Sequence, residues 1–294
     1  MGGNDADALA PPHAGPHARL RGDYSGIGPD FVVDQRWERY SAAEHALYRR
    51  LYERQSRLVP RCACEEFNRS LARLDAAHEI PRFDRVSRAL RAATGWEIVA
   101  VPGLVPDRVF FEHLANRRFP VTVWLRTPGE FDYIVEPDVF HDFFGHVPLL
   151  FDPVFADYLQ AYGAGGLKAE RLDALALLAR LYWYTVEFGL VRGAAGSGGG
   201  LRAYGAGILS SGGELRYAID DPAPRRVRFD LERIMRTEYR IDRYQDTYFV
   251  IESFDELFAS TAPDFAPIYE RVRALPALAA DAAAAGDVAV QRER

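Results

Sequence analysis

The chain has 294 residues, of which 48% are hydrophobic and 13% aromatic, so it is long enough to bury a large core. A net charge of −6 and a pI near 5.7 do not favour a nucleic acid or a membrane surface as partner, and a small molecule is the better expectation. No segment approaches the roughly 18 uncharged apolar residues of a membrane-spanning helix.

The two ends of the chain differ in composition from its middle. The N-terminal part is rich in alanine, proline and glycine and lacks the apolar run of a secretory signal, and the C-terminal part is rich in alanine. We predict a disordered leader over 1–25, one folded catalytic domain over 26–276 and a low-information tail over 277–294. Cys62 and Cys64 are too close for an unstrained disulfide and too few for a zinc site, so we expect reduced thiols and a cytoplasmic protein.

Helical patterns come first along the chain. Ser41 and Glu44 form a capping-box pattern at the start of the first helix, and Gly95 is placed to end the third. Helices with a period near 3.6 residues are predicted over 43–58, 64–75 and 83–94.

Short strands and further helices follow. The predicted elements are strands at 96–101 and 120–125 with a helix at 106–118 between them, a longest helix at 170–190, a hairpin-like segment at 201–219, and a last helix within 264–275. These patterns predict an α+β fold that is predominantly helical, with a few short strands.

The stretch "EPDVFHDFFGHVPLLF", residues 136–151, places His141 and His146 in an otherwise apolar run. A single histidine in such a run is usually a core residue with a hydrogen-bond partner, but each unpaired buried imidazole would cost roughly 1–3 kcal/mol. On a regular helix a separation of five residues puts the two rings about 140° apart. Asp138 can cap a short helix, and Gly145 can let it unwind so that His146 turns back toward His141.

A third ligand for a metal is predicted at Glu187, which lies in the aromatic stretch "LYWYTVEFGL". A carboxylate buried there without a cation would ionise at a high cost, and a divalent metal removes that cost. The alternative is that Glu187 points outward from an amphipathic helix. Two histidines and one carboxylate form the facial triad of non-haem Fe(II) enzymes, whereas zinc on the same ligands would activate water for hydrolysis. Spacing alone leaves both readings open.

Four stretches, taken together, carry a family resemblance. They are "VPGLVPDRVFFEHLANRRFP", "EPDVFHDFFGHVPLL", "LYWYTVEFGL" and "YGAGILSSGGEL", and they resemble the pterin-dependent aromatic amino acid hydroxylases over residues 35–275. The resemblance implies the catalytic-domain fold of that family and Fe(II) held by His141, His146 and Glu187. It also implies O₂ and a tetrahydropterin cosubstrate, either tetrahydrobiopterin or a bacterial analogue.

The resemblance further implies where the pterin binds. Phe110 would offer a ring on which the flat heterocycle stacks, and the backbone around Gly103 and Val105 would hydrogen-bond its edge. Glu136 and Asp142 are expected to support the site, with Asp142 on the cofactor side. Without the resemblance, Phe110 would be read as ordinary helix core.

The amino acid site is implied in the same way. Arg126 matches the arginine that binds the substrate carboxylate, and Ser210 matches the hydroxyl that assists it. Trp183 and Pro137 match residues that enclose the substrate ring. An aliphatic residue at Ile241 favours the unhydroxylated ring of phenylalanine, with hydroxylation of tyrosine or tryptophan as the alternatives.

The chain also departs from animal members of the family. Ile134 stands where some of them carry threonine near the substrate backbone. The tail lacks a leucine heptad, so we expect a monomer with small-molecule partners only and no allosteric activation by phenylalanine. A zinc hydrolase and a non-catalytic binder of aromatic amino acids remain as alternatives to the hydroxylase.

Overall fold

The computed structural model describes residues 20–193 and 199–291. Most of the predicted leader, residues 1–19, lies outside these ranges. No helix within them is long and apolar enough to cross a membrane.

The described chain is mainly helical, as predicted. Its α-helices are α1 Ala42–Ser56, α2 Val59–Cys62, α3 Glu65–Leu71, α4 Phe83–Thr94, α5 Asp107–Ala115, α6 Pro153–Arg171, α7 Leu175–Tyr182, α8 Ala206–Ser210, α9 Gly212–Asp220, α10 Leu231–Arg236, α11 Phe254–Ala259 and α12 Ala266–Arg273. Its strands are β1 Glu97–Val101, β2 Arg118–Thr122, β3 Leu190–Arg192, β4 Leu201–Ala203, β5 Arg225–Arg228 and β6 Thr247–Ile251. Two π-helices, His141–His146 and Trp183–Glu187, interrupt this regular structure.

The strands form two small sheets. Strands β1 and β2 pair in parallel, with Glu97 opposite Arg118. The other sheet has the order β4-β3-β6-β5, in which only the β3–β4 pair is antiparallel. Each sheet packs against helices, which leaves most apolar side chains in one continuous core.

The early helices form where they were predicted, although the one predicted over 64–75 is shorter and spans Glu65–Leu71. Ser41 accepts a hydrogen bond from the backbone of Glu44, whose side chain accepts one in return, so α1 starts with a capping box. Helix α4 spans the predicted residues and ends at Gly95, whose φ of 77° is readily adopted only by glycine.

The prediction of one long helix over 170–190 is wrong. The longest helix is α6, with 19 residues, and it ends at Arg171. Asp173 then adopts a left-handed φ of 51°, and Arg273 donates hydrogen bonds to the carbonyls of Leu172 and Asp173. A contact from α12, distant in sequence, therefore separates α6 from α7.

The prediction of a hairpin over 201–219 is also wrong. Only β4 is extended, and α8 and α9 follow it. A Cβ on Gly205 would lie 2.4 Å from the carbonyl oxygen of Glu187, and one on Gly207 would lie 2.6 Å from the ring of Phe188. The alternation of small residues in this segment thus reflects close packing against the second π-helix and not a β-pleat.

Segments at both predicted boundaries contact the domain. The hydroxyl of Tyr24 donates to the carbonyl of Leu104 at 2.9 Å. In the tail, Ala289 bridges Val227 of the edge strand β5. The division into leader, domain and tail stays a prediction, but these contacts extend beyond residues 26–276.

Helix α6 crosses α5 at a glycine. A Cβ on Gly163 would lie 2.4 Å from the backbone nitrogen of Ala115, whereas a Cβ on Gly165, in the same helix, would meet nothing within 4 Å. We expect Gly163→Ala to lower the free energy of unfolding by about 1–3 kcal/mol through overpacking. Gly165→Ala should raise it by up to about 1 kcal/mol, because alanine favours helix. Urea denaturation of both variants measures the change in the free energy of unfolding. Equal changes in the two variants would contradict the close contact of α5 and α6 at Gly163.

Candidate metal centre and cofactor cavity

The first π-helix brings the two histidines together. Its wide turn places residues five apart above one another, and the ring centroids of His141 and His146 are 5.3 Å apart. Gly145 contributes in a different way from the predicted unwinding. A Cβ there would lie 2.8 Å from the Cβ of Ala206, so glycine lets this turn approach α8.

Asp138 holds the start of this turn. Its Oδ1 accepts a hydrogen bond from the backbone N–H of His141 at 2.9 Å, which agrees with the predicted cap. The same carboxylate accepts bonds from Nε and Nη2 of Arg126, each at 2.8 Å, and Asp138 is fully buried. The Arg126 guanidinium holds the pKa of Asp138 below its usual range against the opposing effect of burial.

Glu187 ends the second π-helix and points at both imidazoles. Its Oε1 lies 3.2 Å from Nε2 of His146, and its Oε2 lies 3.5 Å from Nε2 of His141. Ligand atoms at adjacent positions on an ion, with bonds of about 2.0–2.2 Å, are about 3 Å apart. The three side chains therefore fit a divalent metal, and the outward orientation considered for Glu187 is not found.

The ionisation states of these groups suit a metal. Burial lowers the pKa of His141 to about 4, so its imidazole is neutral at pH 7. Burial alone would raise the pKa of Glu187, but its interactions with His146 and His141 and its hydrogen bond from the backbone N–H of Gly207 together lower this pKa below its usual value. Neutral imidazoles and a carboxylate are the forms that coordinate metals.

Asp142 is a second acid next to the histidines. Within the described ranges, potential ligand atoms of His141, Asp142 and His146 lie within 4.8 Å of one another. However, Oδ2 of Asp142 accepts the backbone N–H of Thr122 at 2.8 Å, and burial raises the pKa of this carboxyl to about 7. Glu187 contacts the Nε2 atoms of both histidines, so we take it as the third ligand.

Ser210 orients one of the ligands. Its Oγ lies 2.9 Å from Nδ1 of His141. Such a bond on the far ring nitrogen fixes the ring and leaves Nε2 for the metal. Ser210 was expected at the substrate carboxylate, and the structure places it against His141.

A cavity of about 480 Å³ adjoins the metal ligands. Residues that line it include Gly103, Val105, Phe110, Phe119, Pro137, His141, Asp142, His146, Tyr182 and Glu187. Apolar and aromatic side chains form most of its wall, which suits a flat organic molecule held beside the metal.

Comparison with known proteins identifies the protein family in which this site occurs. A family model described as biopterin-dependent aromatic amino acid hydroxylase matches residues 34–271. The chain belongs to this family. It is 59% identical over 266 residues to a phenylalanine-4-hydroxylase of Ralstonia nicotianae, covering 90% of this chain and 84% of that protein.

Chromobacterium violaceum provides a similar sequence and a similar solved structure. A phenylalanine-4-hydroxylase is 62% identical over 241 residues, covering 82% of this chain and 80% of that one. The fold matches a solved structure of phenylalanine hydroxylase bound to cobalt with a TM-score of 0.86, at 58% identity, covering 89% of this chain and 93% of that one. The family and fold expected from the four sequence stretches are thereby confirmed.

The residues predicted for the pterin lie together in the cavity. Phe110 projects into it from α5 and meets Tyr182 edge to face, with ring centroids 5.6 Å apart. A Cβ on Gly103 would lie 2.8 Å from the hydroxyl of Tyr24 and 3.1 Å from Oε1 of Glu136, so glycine is needed at this wall. Sequence reasoning assigned no role to Tyr24 or Tyr182.

The residues predicted for the amino acid lie elsewhere. Apart from Pro137, none of them lines the cavity. The Nε1 of Trp183 donates to Oε1 of Gln245 at 2.9 Å, and its ring stacks on Tyr239 with centroids 4.3 Å apart. The carbonyl of Ile241 accepts a hydrogen bond from the hydroxyl of Tyr133. Arg126 is engaged by Asp138, a partner that the sequence did not indicate.

Proposed function

We propose that the protein is a phenylalanine 4-monooxygenase, which converts L-phenylalanine to L-tyrosine with O₂ and a tetrahydropterin at a mononuclear Fe(II) site. The observation that carries this proposal is the convergence of His141, His146 and Glu187 beside an apolar cavity in a chain of this family. The high identity to proteins named phenylalanine-4-hydroxylase supports phenylalanine over tyrosine and tryptophan. We also propose that the protein is cytoplasmic and monomeric.

When bound, iron would bring O₂ together with the reduced pterin, which would supply two electrons, so that one oxygen atom enters an aromatic C–H bond of the substrate and the other leaves as a hydroxyl group on the oxidised pterin. His141, His146 and Glu187 would hold the ion, as a set of two imidazoles and one carboxylate suited to non-haem Fe(II). Ser210 holds the His141 ring through Nδ1, and Asp138 holds its backbone.

The remaining residues position the organic molecules. Phe110 presents its ring to the pterin, and the backbone at Gly103 and Val105 follows the pterin edge. Arg126 retains the N–H groups of Nη1 after its bonds to Asp138, and these serve the substrate carboxylate. Apolar cavity walls exclude water from the reacting ring.

The test uses metal-free protein reconstituted with either Fe(II) or Zn(II). Phenylalanine, tyrosine and tryptophan are each supplied with tetrahydrobiopterin, while O₂ uptake and products are measured. We expect tyrosine from phenylalanine, in the iron protein only, with O₂ consumed in step with tyrosine formed. Pterin-independent turnover, or activity in the zinc protein, would refute the proposal. Gel filtration at micromolar concentration tests the monomer.

A further inference from the structure

Gln245 is a buried amide that connects the Trp183 side chain to the loop formed by residues 240–245. It is 3% exposed, and its Oε1 accepts the indole N–H of Trp183 at 2.9 Å. Its Nε2 donates to the carbonyl of Arg240 at 3.0 Å and to that of Arg243 at 3.4 Å. Because those carbonyls can only accept, the amide nitrogen must face them and the oxygen must face the indole.

The backbone of Gln245 is held from another element. Its N–H donates to Oε1 of Glu214 at 3.1 Å, and the hydroxyl of Tyr248 donates to the same oxygen at 2.9 Å. Glu214 is 6% exposed and lies on α9, directly after the segment that carries Ser210. Gln245 is therefore fixed relative to the metal centre through a route that does not include Trp183.

The indole of Trp183 is held on its faces as well as at its N–H. Its ring stacks on Tyr239 at 4.3 Å with an interplanar angle of 16°, and it packs on Phe188 at 4.6 Å. Stacking alone allows a ring to slide and rotate in its own plane. A directed hydrogen bond at Nε1 removes that freedom.

We propose that Gln245 is a positioning residue that sets the orientation of the Trp183 indole and thereby the aromatic wall against which the amino acid ring binds. This inference rests on the proposed function and on the expectation, implied by the family resemblance, that Trp183 encloses the substrate ring. We expect the main effect of Gln245 on binding of the amino acid, because Gln245 contacts the Trp183 side chain and is neither a candidate metal ligand nor part of the described cavity lining.

The test is Gln245→Met, which keeps the length of the side chain and removes the acceptor. In the iron protein we expect the KM for phenylalanine to rise about two- to tenfold, the range for loss of one neutral hydrogen bond. The kcat and the KM for tetrahydrobiopterin should stay within about twofold. In ¹H–¹⁵N spectra of the zinc-substituted protein, the indole N–H resonance of Trp183 should shift upfield. That resonance is identified by its loss in Trp183→Phe.

Gln160→Met is the matched control. Gln160 also accepts from a side chain, Arg117 Nε at 2.8 Å, and donates to a carbonyl, that of Ala115 at 3.1 Å, but it does so at the C-terminal end of α5. The Gln160→Met variant should change neither the KM for phenylalanine, nor the KM for tetrahydrobiopterin, nor the resonance of the Trp183 indole N–H. If Gln245→Met does not accumulate as folded protein, Gln245→Asn takes its place, because its shorter amide cannot reach the indole.

A double-mutant cycle separates positioning from general destabilisation. In the Trp183→Phe background, Gln245→Met should raise the KM for phenylalanine no further, since no indole N–H remains to be oriented. An equal rise in both backgrounds, or an unchanged Trp183 resonance in Gln245→Met, would overturn the inference. Failure of the proposed function is distinguishable, because wild-type iron protein would then form no tyrosine while the resonance still shifted.

Discussion

Glu187→Gln is expected to abolish stoichiometric metal binding and to reduce tyrosine formation by at least ~10³-fold. Glutamine keeps the shape of the side chain but replaces an anionic oxygen ligand, which lies 3.2 Å from Nε2 of His146, with a neutral amide. Loss of a hydrogen-bond partner behind a ligand already costs roughly 10- to 100-fold in metal affinity or activity, and loss of the ligand itself should cost more. Metal content after desalting and initial rates of tyrosine formation measure the two effects.

Asp142→Asn provides the decisive comparison, because Asp142 also lies beside both histidines. If Glu187 is the third ligand, the Asp142 variant should retain one metal per chain, whatever its rate. Retention of metal by the Glu187 variant together with its loss from the Asp142 variant would reverse the assignment.

An exposed glutamate serves as the control for handling and folding. Glu232 lies on α10 and forms a surface ion pair with Arg271. Glu232→Gln should retain full metal content and the wild-type rate, because a surface pair of this kind contributes little.

The sequence indicated His141, His146 and Glu187 as candidate metal ligands because the chemistry of these residues is local. Two imidazoles and a carboxylate in apolar stretches are costly to bury unless they bind something, and that cost can be read from the residues beside them. The sequence also indicated an unwound turn between His141 and His146, and the structure forms it as a π-helix. The close approach of Gly145 to Ala206 could not be predicted, because the two residues are distant in sequence.

The substrate side was harder to predict for the same reason. The resemblance indicated Arg126, but its contact with Asp138 could not be predicted, because no periodic pattern links two residues that both lie in loops after β2. Ser210 was matched to the substrate, while the structure places it on His141. Gln245 lies 62 residues from Trp183, and nothing in its local sequence indicates that the two side chains meet.

The errors in secondary structure have a common physical cause. The periodicity of a sequence shows which side chains are apolar. It does not show where a contact with a distant residue ends a helix or bends the backbone. Arg273 hydrogen-bonds the backbone between α6 and α7 and separates these two helices. Gly205 lies close to Glu187, and the alternating segment that follows β4 forms helices instead of a hairpin.

Asp138→Asn is expected to lower the free energy of unfolding by about 3–5 kcal/mol, the range for breaking a buried ion pair from one side. The variant leaves the guanidinium of Arg126, which is 4% exposed, without a counter-ion in the interior. It also turns one oxygen into a donor, although both carboxylate oxygens accept hydrogen bonds in the structure. Urea denaturation of the metal-free protein measures the loss.

The matched control is Asp84→Asn, because Asp84 pairs with Arg88 on the exposed face of α4 at 2.9 Å. It should cost less than about 1 kcal/mol. A loss at Asp138 no larger than this would show that the buried pair is not what holds Arg126. Beyond stability, Asp138 joins the arginine assigned to the substrate carboxylate to the backbone of a metal ligand. The variant should therefore weaken both phenylalanine binding and metal affinity, whereas a purely structural role would leave both unchanged in the fraction that remains folded.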